Sequence, residues 1–291
     1  MHLGNLILTL LGLASFVVAG PIESEEAKVL AAAQALLITT SAPNRPPLTE
    51  AYDTVIHGGQ NNLLHESGLV STQLGAYIPQ FEKILEQLYG SGVESFVESL
   101  YEPKVWIHGS LALVYGRAVI TIDDVATSSA WEHFSMAKTD EGWKIAAISD
   151  QSWSLATPSS TIPPIKPEAP FRCTIEAVWN SIRDCNWDIL GAHMLPEGGA
   201  TLVLSEGILT LSTNEYIEYL ASIFNDEPGG IYFDEQIFDI KARSTSDYGF
   251  AWVLSGANKG GKRTKDTAVT IFTFIKLDHQ WFVTSVQAGQ H

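Results

Sequence analysis

The feature that most constrains the fold is an internal repeat, because one pattern occurs twice in the chain, about 138 residues apart. When residues 55–78 are written above residues 194–217, three glycine or tyrosine positions and one isoleucine position align as identities without a gap. They are Gly59, Gly68, Tyr77 and Ile78 in the first copy, and Gly198, Gly207, Tyr216 and Ile217 in the second. Further on, FSMAKTDEGW (134–143) aligns with FTFIKLDHQW (272–281). A repeat this long predicts two whole domains rather than a solenoid, whose units run to roughly 20–50 residues.

The bulk composition agrees with two folded domains and restricts the partners. A chain of 291 residues gives each domain enough residues to bury its own core. Hydrophobic residues make up 45% of the chain, with 8 Trp and 12 Phe, which indicates a globular rather than a disordered protein. The formal net charge of −16 argues against a nucleic-acid partner and against an anionic membrane surface, since both would be repelled.

The first 19 residues, MHLGNLILTLLGLASFVVA, are typical of a secretory signal peptide. The apolar stretch from Leu6 to Val18 is short for a transmembrane span, and Val17-x-Ala19 resembles a small-residue cleavage site. An uncleaved anchor is the alternative, because His2 is the only side chain before the apolar stretch that could carry a positive charge. We predict a protein that is secreted or retained in the secretory-pathway lumen, with no membrane contact after cleavage.

The order of predicted elements is the same in both copies: helices come first, and a long antiparallel meander follows. This order indicates an α+β fold. The first domain is predicted at 23–153 and the second at 171–291. The stretch 154–170 contains five prolines and no periodicity, so it is predicted to be the linker.

Two segments of each copy carry a resemblance to a known family. In the first copy they are LALVYGRAVITI and FSMAKTDEGWKIAAISD, and in the second FAWVLSGA and FTFIKLDHQWFVTSVQ. With the order of elements, they resemble the nuclear-transport-factor-2-like superfamily, especially SnoaL-like and lumazine-binding-type domains. The resemblance implies two tandem cone-shaped domains, each a curved antiparallel sheet wrapped around N-terminal helices and enclosing a pocket.

The resemblance implies a fold but does not select a function, since the superfamily includes isomerases, dehydratases, cyclases and non-catalytic carriers. The lumazine-binding-type domains tend to carry a His shortly before the Phe-containing strand, where this chain has Ser128 and Asp266. Their chemistry is therefore not carried over. Asp150 does match an acidic position common at the end of the last strand of such domains.

The repeat also serves as a filter for functional residues. The first copy has polar side chains at five positions where the second copy has Leu, Leu, Gly, Ile and Ala. They are His65, Tyr115, Arg117, His133 and Asp150, opposite Leu204, Leu254, Gly256, Ile271 and Ala288. A polar residue that the fold does not require is a candidate for function. The alternative is that each one is a hydrogen-bonded core residue or a surface residue.

These residue types suit acid–base chemistry in a pocket of the first domain. A His with a carboxylate partner can move protons near neutral pH, and a Tyr or Arg can polarise a carbonyl group. The predicted catalytic residues are His65, His133, Asp150 and Tyr115, and they are expected to converge on one cavity. The predicted substrate-binding residues are Arg117, Trp106 and Trp131. The sequence lacks the motifs of metal, nucleotide and serine-hydrolase sites, so neither a metal nor a cofactor is expected.

The sequence thus predicts a cofactor-free isomerase, dehydratase or cyclase acting on a small hydrophobic metabolite, with secondary-metabolite biosynthesis as one setting. A secreted small-molecule binding or carrier protein is the alternative, and an interaction module with filled cones is the third hypothesis. The two domains are expected to pack as an intramolecular pseudo-dimer in a monomeric protein, with the second copy as a structural partner. The sequence does not identify the substrate.

Overall fold

The structure, a computed structural model, describes residues 24–41, 48–155, 162–225, 232–259, 262–263 and 267–289. The predicted signal peptide at 1–19 lies outside these ranges. Within them, no helix is both long and apolar enough to cross a membrane.

The first domain combines two helices, a short 3-10 helix and a six-stranded sheet. The helices are α1 (Glu25–Ser41) and α2 (Leu74–Gly90), and the 3-10 helix is Leu48–Thr54. The strands are β1 (Val55–His65), β2 (Gly68–Gln73), β3 (Phe96–His108), β4 (Leu111–Ile122), β5 (Val125–Thr139) and β6 (Gly142–Ser154). The spatial order is β2-β1-β6-β5-β4-β3. All neighbours are antiparallel except β1 and β6, which run parallel.

The second domain repeats this arrangement. Its helices are α3 (Arg172–Arg183), α4 (Trp187–Ala192) and α5 (Thr213–Ile223). Its strands are β7 (Met194–Leu204), β8 (Gly207–Ser212), β9 (Glu235–Ser244), β10 (Tyr248–Lys259), β11 (Lys262–Arg263), β12 (Ala268–Leu277) and β13 (Gln280–Gly289). The order β8-β7-β13-β12-β10, with β9 beside β10, matches the first sheet strand for strand, and β11 pairs only with the end of β10.

The two sheets confirm the predicted α+β class with two tandem domains. The sequence predicts antiparallel sheets throughout, but each sheet contains one parallel pair. These pairs are β1 with β6 and β7 with β13. Parallel pairing is possible there because a long segment separates the two strands, whereas a tight hairpin would force them antiparallel. The domain boundaries stay a prediction, although the first sheet ends at Ser154 and α3 begins at Arg172.

The repeated glycines occupy positions where the backbone allows no other residue comfortably. A Cβ atom on Gly59 would lie 2.1 Å from the Ala146 carbonyl oxygen, and one on Gly198 would lie 2.5 Å from the Thr284 carbonyl oxygen. Both glycines sit at the irregularity in the parallel strand pair of their domain. Gly68 and Gly207, with φ of 129° and 132°, form the turn after the first strand of each copy.

Strand alternation divides each sheet into an inner and an outer face. On β4, Ala112 and Val114 belong to the core between the sheet and its helices, whereas Leu113 and Tyr115 belong to a separate cluster. That cluster also contains Phe250 and other residues of β10 and β12. The outer faces of the two sheets therefore pack against each other, and the inner faces are turned towards the helices.

Candidate functional site

An acidic cavity lies on the inner face of the first domain. Three carboxyl groups line it, those of Glu98 on β3, Glu132 on β5 and Asp150 on β6. Leu36 and Leu37 of α1 are among the apolar residues that complete its lining. The cavity volume is about 50 Å³, enough for a few water molecules.

The sheet register brings two of these carboxyl groups directly together. Glu132 and Asp150 are Cα partners on adjacent antiparallel strands, and their side chains share the inner face. Directly opposed residues of this kind have Cβ atoms roughly 4.5–5.5 Å apart. Asp150 is also the partner of Leu63 on β1, and Tyr77 reaches the same cavity from α2. The cavity therefore collects polar groups from several separate elements.

The surroundings of these carboxyl groups favour their protonated forms. Burial raises the pKa of Glu98 to about 7. Burial also raises the pKa of Glu132, with added repulsion from Glu98 and Asp150, and the pKa of Asp150 is raised by burial and by Glu98. Among the described residues, no Lys or Arg lines the cavity to offset these effects. Near neutral pH the cluster can hold protons that ordinary surface carboxylates have lost.

Several polar atoms in this cavity have no hydrogen-bond partner. They are one carboxyl oxygen of Glu132 (Oε2), one of Asp150 (Oδ1), and both side-chain amide atoms of Asn61. A buried polar atom left unpaired costs about 1–3 kcal/mol, so such atoms are uncommon in a site that serves packing alone. Their open hydrogen-bonding positions suit a polar ligand or bound water.

His133 and Tyr115 do not converge with Asp150, so that expectation is wrong. Both lie on the outer face: Tyr115 belongs to the cluster between the sheets, and His133 neighbours Glu132, whose side chain points inward. His133 is fully buried and bonded through both ring nitrogens, Nδ1 to the Tyr248 hydroxyl and Nε2 to Thr273 Oγ1 at 3.1 Å. Burial lowers its pKa to about 3, so it remains neutral.

His65 shares the inner face with Asp150 but lies farther along β1. Its Nδ1 is 2.5 Å from Ser152 Oγ, and it does not line the acidic cavity. Burial lowers the pKa of this half-buried imidazole. Its assignment as a catalytic residue stays a prediction.

The predicted substrate-binding residues gather elsewhere. Arg117 and Trp131 line a cleft between the two domains, together with Tyr115 and with Arg243 of β9. Trp106 packs in the cluster between the sheets, under the guanidinium group of Arg243. Arg117 and Trp131 therefore lie on the outer face of the first sheet rather than in its inner cavity, and their assignment to substrate binding stays a prediction.

The second domain contains a roomier cavity on its own inner face. Its volume is about 180 Å³. Its lining is largely apolar and includes six aromatic side chains: Trp179, Tyr216, Tyr219, Phe224, Phe233 and Phe272. Among its polar groups, Trp179 Nε1 has no hydrogen-bond partner, and Glu235 accepts a 2.7 Å bond from Ser255. The expectation that the second copy is only a structural partner gains no support from this cavity.

Sequence reasoning missed Asn61, Glu98 and Glu132. The repeat filter could have found Asn61, which aligns with Ala200, but not Glu132, whose equivalent Thr270 is also polar. Glu98 lies in a strand whose alignment between the copies is irregular, so no comparable signal existed for it. Within the described ranges, no group of three or more His, Cys, Asp or Glu side chains is arranged to hold a metal ion.

Comparison with known proteins gives structural similarity only. No protein-family model and no curated protein sequence matches the chain. An NTF2-like protein of unknown function from Pseudomonas putida KT2440 is 14% identical, with a TM-score of 0.35, and the match covers 42% of this chain and 84% of that one. An NTF2-like protein of unknown function from Silicibacter pomeroyi DSS-3 is 10% identical, with a TM-score of 0.33, covering 42% and 94%.

A third similar structure is an NTF2-like protein with a cystatin-like fold from Novosphingobium aromaticivorans. It is 14% identical, with a TM-score of 0.32, and the match covers 42% of this chain and 80% of that one. All three structures are described as NTF2-like proteins, and the third also as having a cystatin-like fold.

Proposed function

We propose that the protein binds a small, largely apolar molecule in the cavity of the second domain. The observation that carries this proposal is the volume of about 180 Å³ within a largely apolar lining. A cavity of ~150 Å³ lined by apolar side chains holds a benzene molecule, so this one has room for a single substituted ring. The cavity of the first domain, at about 50 Å³, does not.

The polar groups of this cavity define the ligand further. The unpaired Trp179 Nε1 can donate a hydrogen bond, and the Glu235 carboxylate can accept one. A ring that carries one hydroxyl group matches this combination, because a hydroxyl both donates and accepts. The protein would then act as a carrier or binding protein for such compounds.

The test is calorimetric titration with p-cresol as the probe. Wild-type protein is expected to bind it with 1:1 stoichiometry, and Leu202→Phe, which adds volume inside the cavity, should weaken binding at least tenfold. Ile189→Phe, at a side chain that is 47% exposed on α4, is the matched control and should bind like wild type. Equal binding by all three proteins would contradict the proposal.

A second candidate function is acid–base catalysis in the first domain, as an isomerase, dehydratase or cyclase of a small metabolite. The specific observation in its favour is the group of three neighbouring carboxyl groups with raised pKa values, of which Glu132 and Asp150 each have one oxygen without a hydrogen-bond partner. A protonated carboxyl group can donate to a leaving or carbonyl oxygen while an ionised neighbour accepts a proton.

The catalytic candidate is tested with metabolite extract from the producing organism, followed by mass spectrometry. A compound consumed by the wild type should be spared by Glu132→Gln, with the rate falling 100-fold or more. Glu94→Gln, at an exposed residue, is the control and should retain full activity. Conversion that Glu132→Gln leaves intact would exclude the acidic cavity as its site.

We further propose that the protein enters the secretory pathway, on the strength of the apolar leader at 1–19. Expression of the full chain in a secreting host, followed by N-terminal sequencing, tests this proposal. A mature start at Gly20 or Pro21 would support cleavage. Retention of Met1 in membranes would favour the anchor instead.

A further inference from the structure

The cleft between the two domains has a charge opposite to that of the molecule. It has a volume of about 450 Å³ and lies along the outer face of the first sheet. Three basic side chains line it, those of Lys104, Arg117 and Arg243, against the single carboxylate of Glu102. In a protein with a net charge of −16, such a local excess of positive charge is unexpected from composition.

The two arginines have hydrogen-bonding capacity to spare. Arg117 donates from Nε to Ser129 Oγ at 3.0 Å, and Arg243 donates from Nη1 to the Ala242 carbonyl oxygen at 2.7 Å. Among the described residues, no carboxylate forms an ion pair with Arg117, Arg243 or Lys104. Each guanidinium group has five N–H donors, so most of them stay available to a ligand.

Aromatic rings form the walls beside these cations. Tyr101, Tyr115 and Trp131 line the cleft, and Arg243 is held in place by two rings. Its guanidinium carbon lies 5.4 Å from the Trp106 ring centroid and 5.5 Å from that of Tyr115. Cation–π contacts of this kind orient the planar group without neutralising it. Arg243 therefore presents a fixed positive charge to the cleft.

The fold does not require this constellation, because the second copy lacks it. Arg117, Tyr115 and Trp131 align with Gly256, Leu254 and Val269. The second domain keeps the same strand order with these small or apolar residues. Their polar and aromatic counterparts in the first copy are therefore available for a role in the cleft itself.

We infer that the interdomain cleft binds a small aromatic carboxylate. Arginine donors match the two oxygens of a carboxylate in a bidentate arrangement, and the neighbouring rings offer faces for an aromatic body. This site is separate from both inner cavities, since it lies on the opposite face of the sheet and uses residues of both domains.

The experiment is calorimetric titration of the full protein with 2-naphthoate, and with 2-naphthamide as the neutral analogue. The carboxylate is expected to bind at least tenfold more tightly than the amide, and more weakly as salt is added. Arg117→Gln should weaken naphthoate binding about tenfold or more. Arg172→Gln removes the same charge from an exposed position on α3 and should change nothing.

A third variant separates this cleft from the cavity of the second domain. Leu202→Phe fills that cavity and should leave naphthoate binding unchanged. Three results would each overturn the inference: no saturable binding by the wild type, equal affinity for the amide, or naphthoate binding that is lost in Leu202→Phe but kept in Arg117→Gln. Circular dichroism of each variant confirms that it is folded.

Discussion

At the residue scale, His133 shows how one imidazole can serve packing rather than chemistry. The Tyr248 hydroxyl, one of its two partners, donates onward to the Ser149 carbonyl oxygen at 2.8 Å. The other, Thr273, accepts a 2.9 Å bond from the Ser285 hydroxyl. Both ring nitrogens are thus satisfied in a neutral ring, which links the two domains through buried hydrogen bonds.

This arrangement predicts an acid-sensitive contribution to stability. The pKa of His133 is about 3 in the folded protein, against 6.5 for an ordinary histidine, so below pH 6.5 the unfolded chain binds a proton that the folded chain does not. Its contribution therefore falls as pH drops from 6.5, by about 1.4 kcal/mol per pH unit. Denaturant unfolding of His133→Leu should show a free energy that declines less steeply below pH 6.5 than that of wild type.

Glu132 predicts the opposite trend. Its pKa is raised by burial, so the folded protein holds a proton that the unfolded chain loses above pH 4.5. Stability therefore falls as pH rises from 4.5 towards the folded pKa, by about 1.4 kcal/mol per pH unit. Glu132→Gln should be more stable than wild type at pH 8 and nearly equal to it at pH 4.5. Equal pH profiles for wild type, Glu132→Gln and the exposed control Glu94→Gln would contradict this prediction.

At the element scale, the repeat predicted the architecture because both copies keep glycine at the same positions. At these positions the backbone comes too close to its neighbours, or turns too sharply, for a side chain. Gly59 and Gly198 permit the close approach at the parallel strand pair, and Gly68 and Gly207 permit the turn that follows. Such positions tolerate few substitutions, so they keep their identity in both copies while other residues diverge. The strand order of both sheets follows from these shared constraints.

The same reasoning could not place the functional residues on a face of the sheet. His133 and Glu132 are adjacent in β5, and a shift of one residue exchanges the outer face for the inner. Irregularities in the strand pairing, such as that between Ser135 and Met136, change this alternation locally. The repeat filter therefore could not tell the two faces apart, and the expectation that His133 and Tyr115 share the inner face with Asp150 was wrong.

The parallel strand pair gives a prediction about Gly59. A methyl group there would collide with the Ala146 backbone oxygen, which cannot rotate away, so Gly59→Ala should lower the free energy of unfolding by more than about 2 kcal/mol. The control is Gly90→Ala at the end of α2, where nothing lies within 4 Å of the added atom. Urea denaturation should show little change for that variant, and a comparable loss in both would contradict the explanation.

At the scale of the whole molecule, the two domains depend on each other for burial. The cluster between the sheets contains large side chains from both, including Leu113 of β4 and Phe250 and Trp252 of β10, all at most 6% exposed. Separated domains would present this apolar surface to water, which favours association or aggregation.

Residues 23–155 and 162–291, expressed separately, should be insoluble or oligomeric in size-exclusion chromatography. When co-expressed, they should elute together at the size of the intact protein. Monomeric, soluble halves would contradict this prediction.

The hydrogen bonds of His133 also bear on how the duplicated chain could have evolved. Single-domain ancestors can pair only through identical surfaces, but the repeat equivalent of Tyr248 is Gly109, and that of His133 is Ile271. A homodimer of the first half would bury two imidazoles without the phenol that each one needs, and a homodimer of the second would bury none. The hydrogen bonds of His133 can therefore form only between two unlike halves, as they stand in this chain.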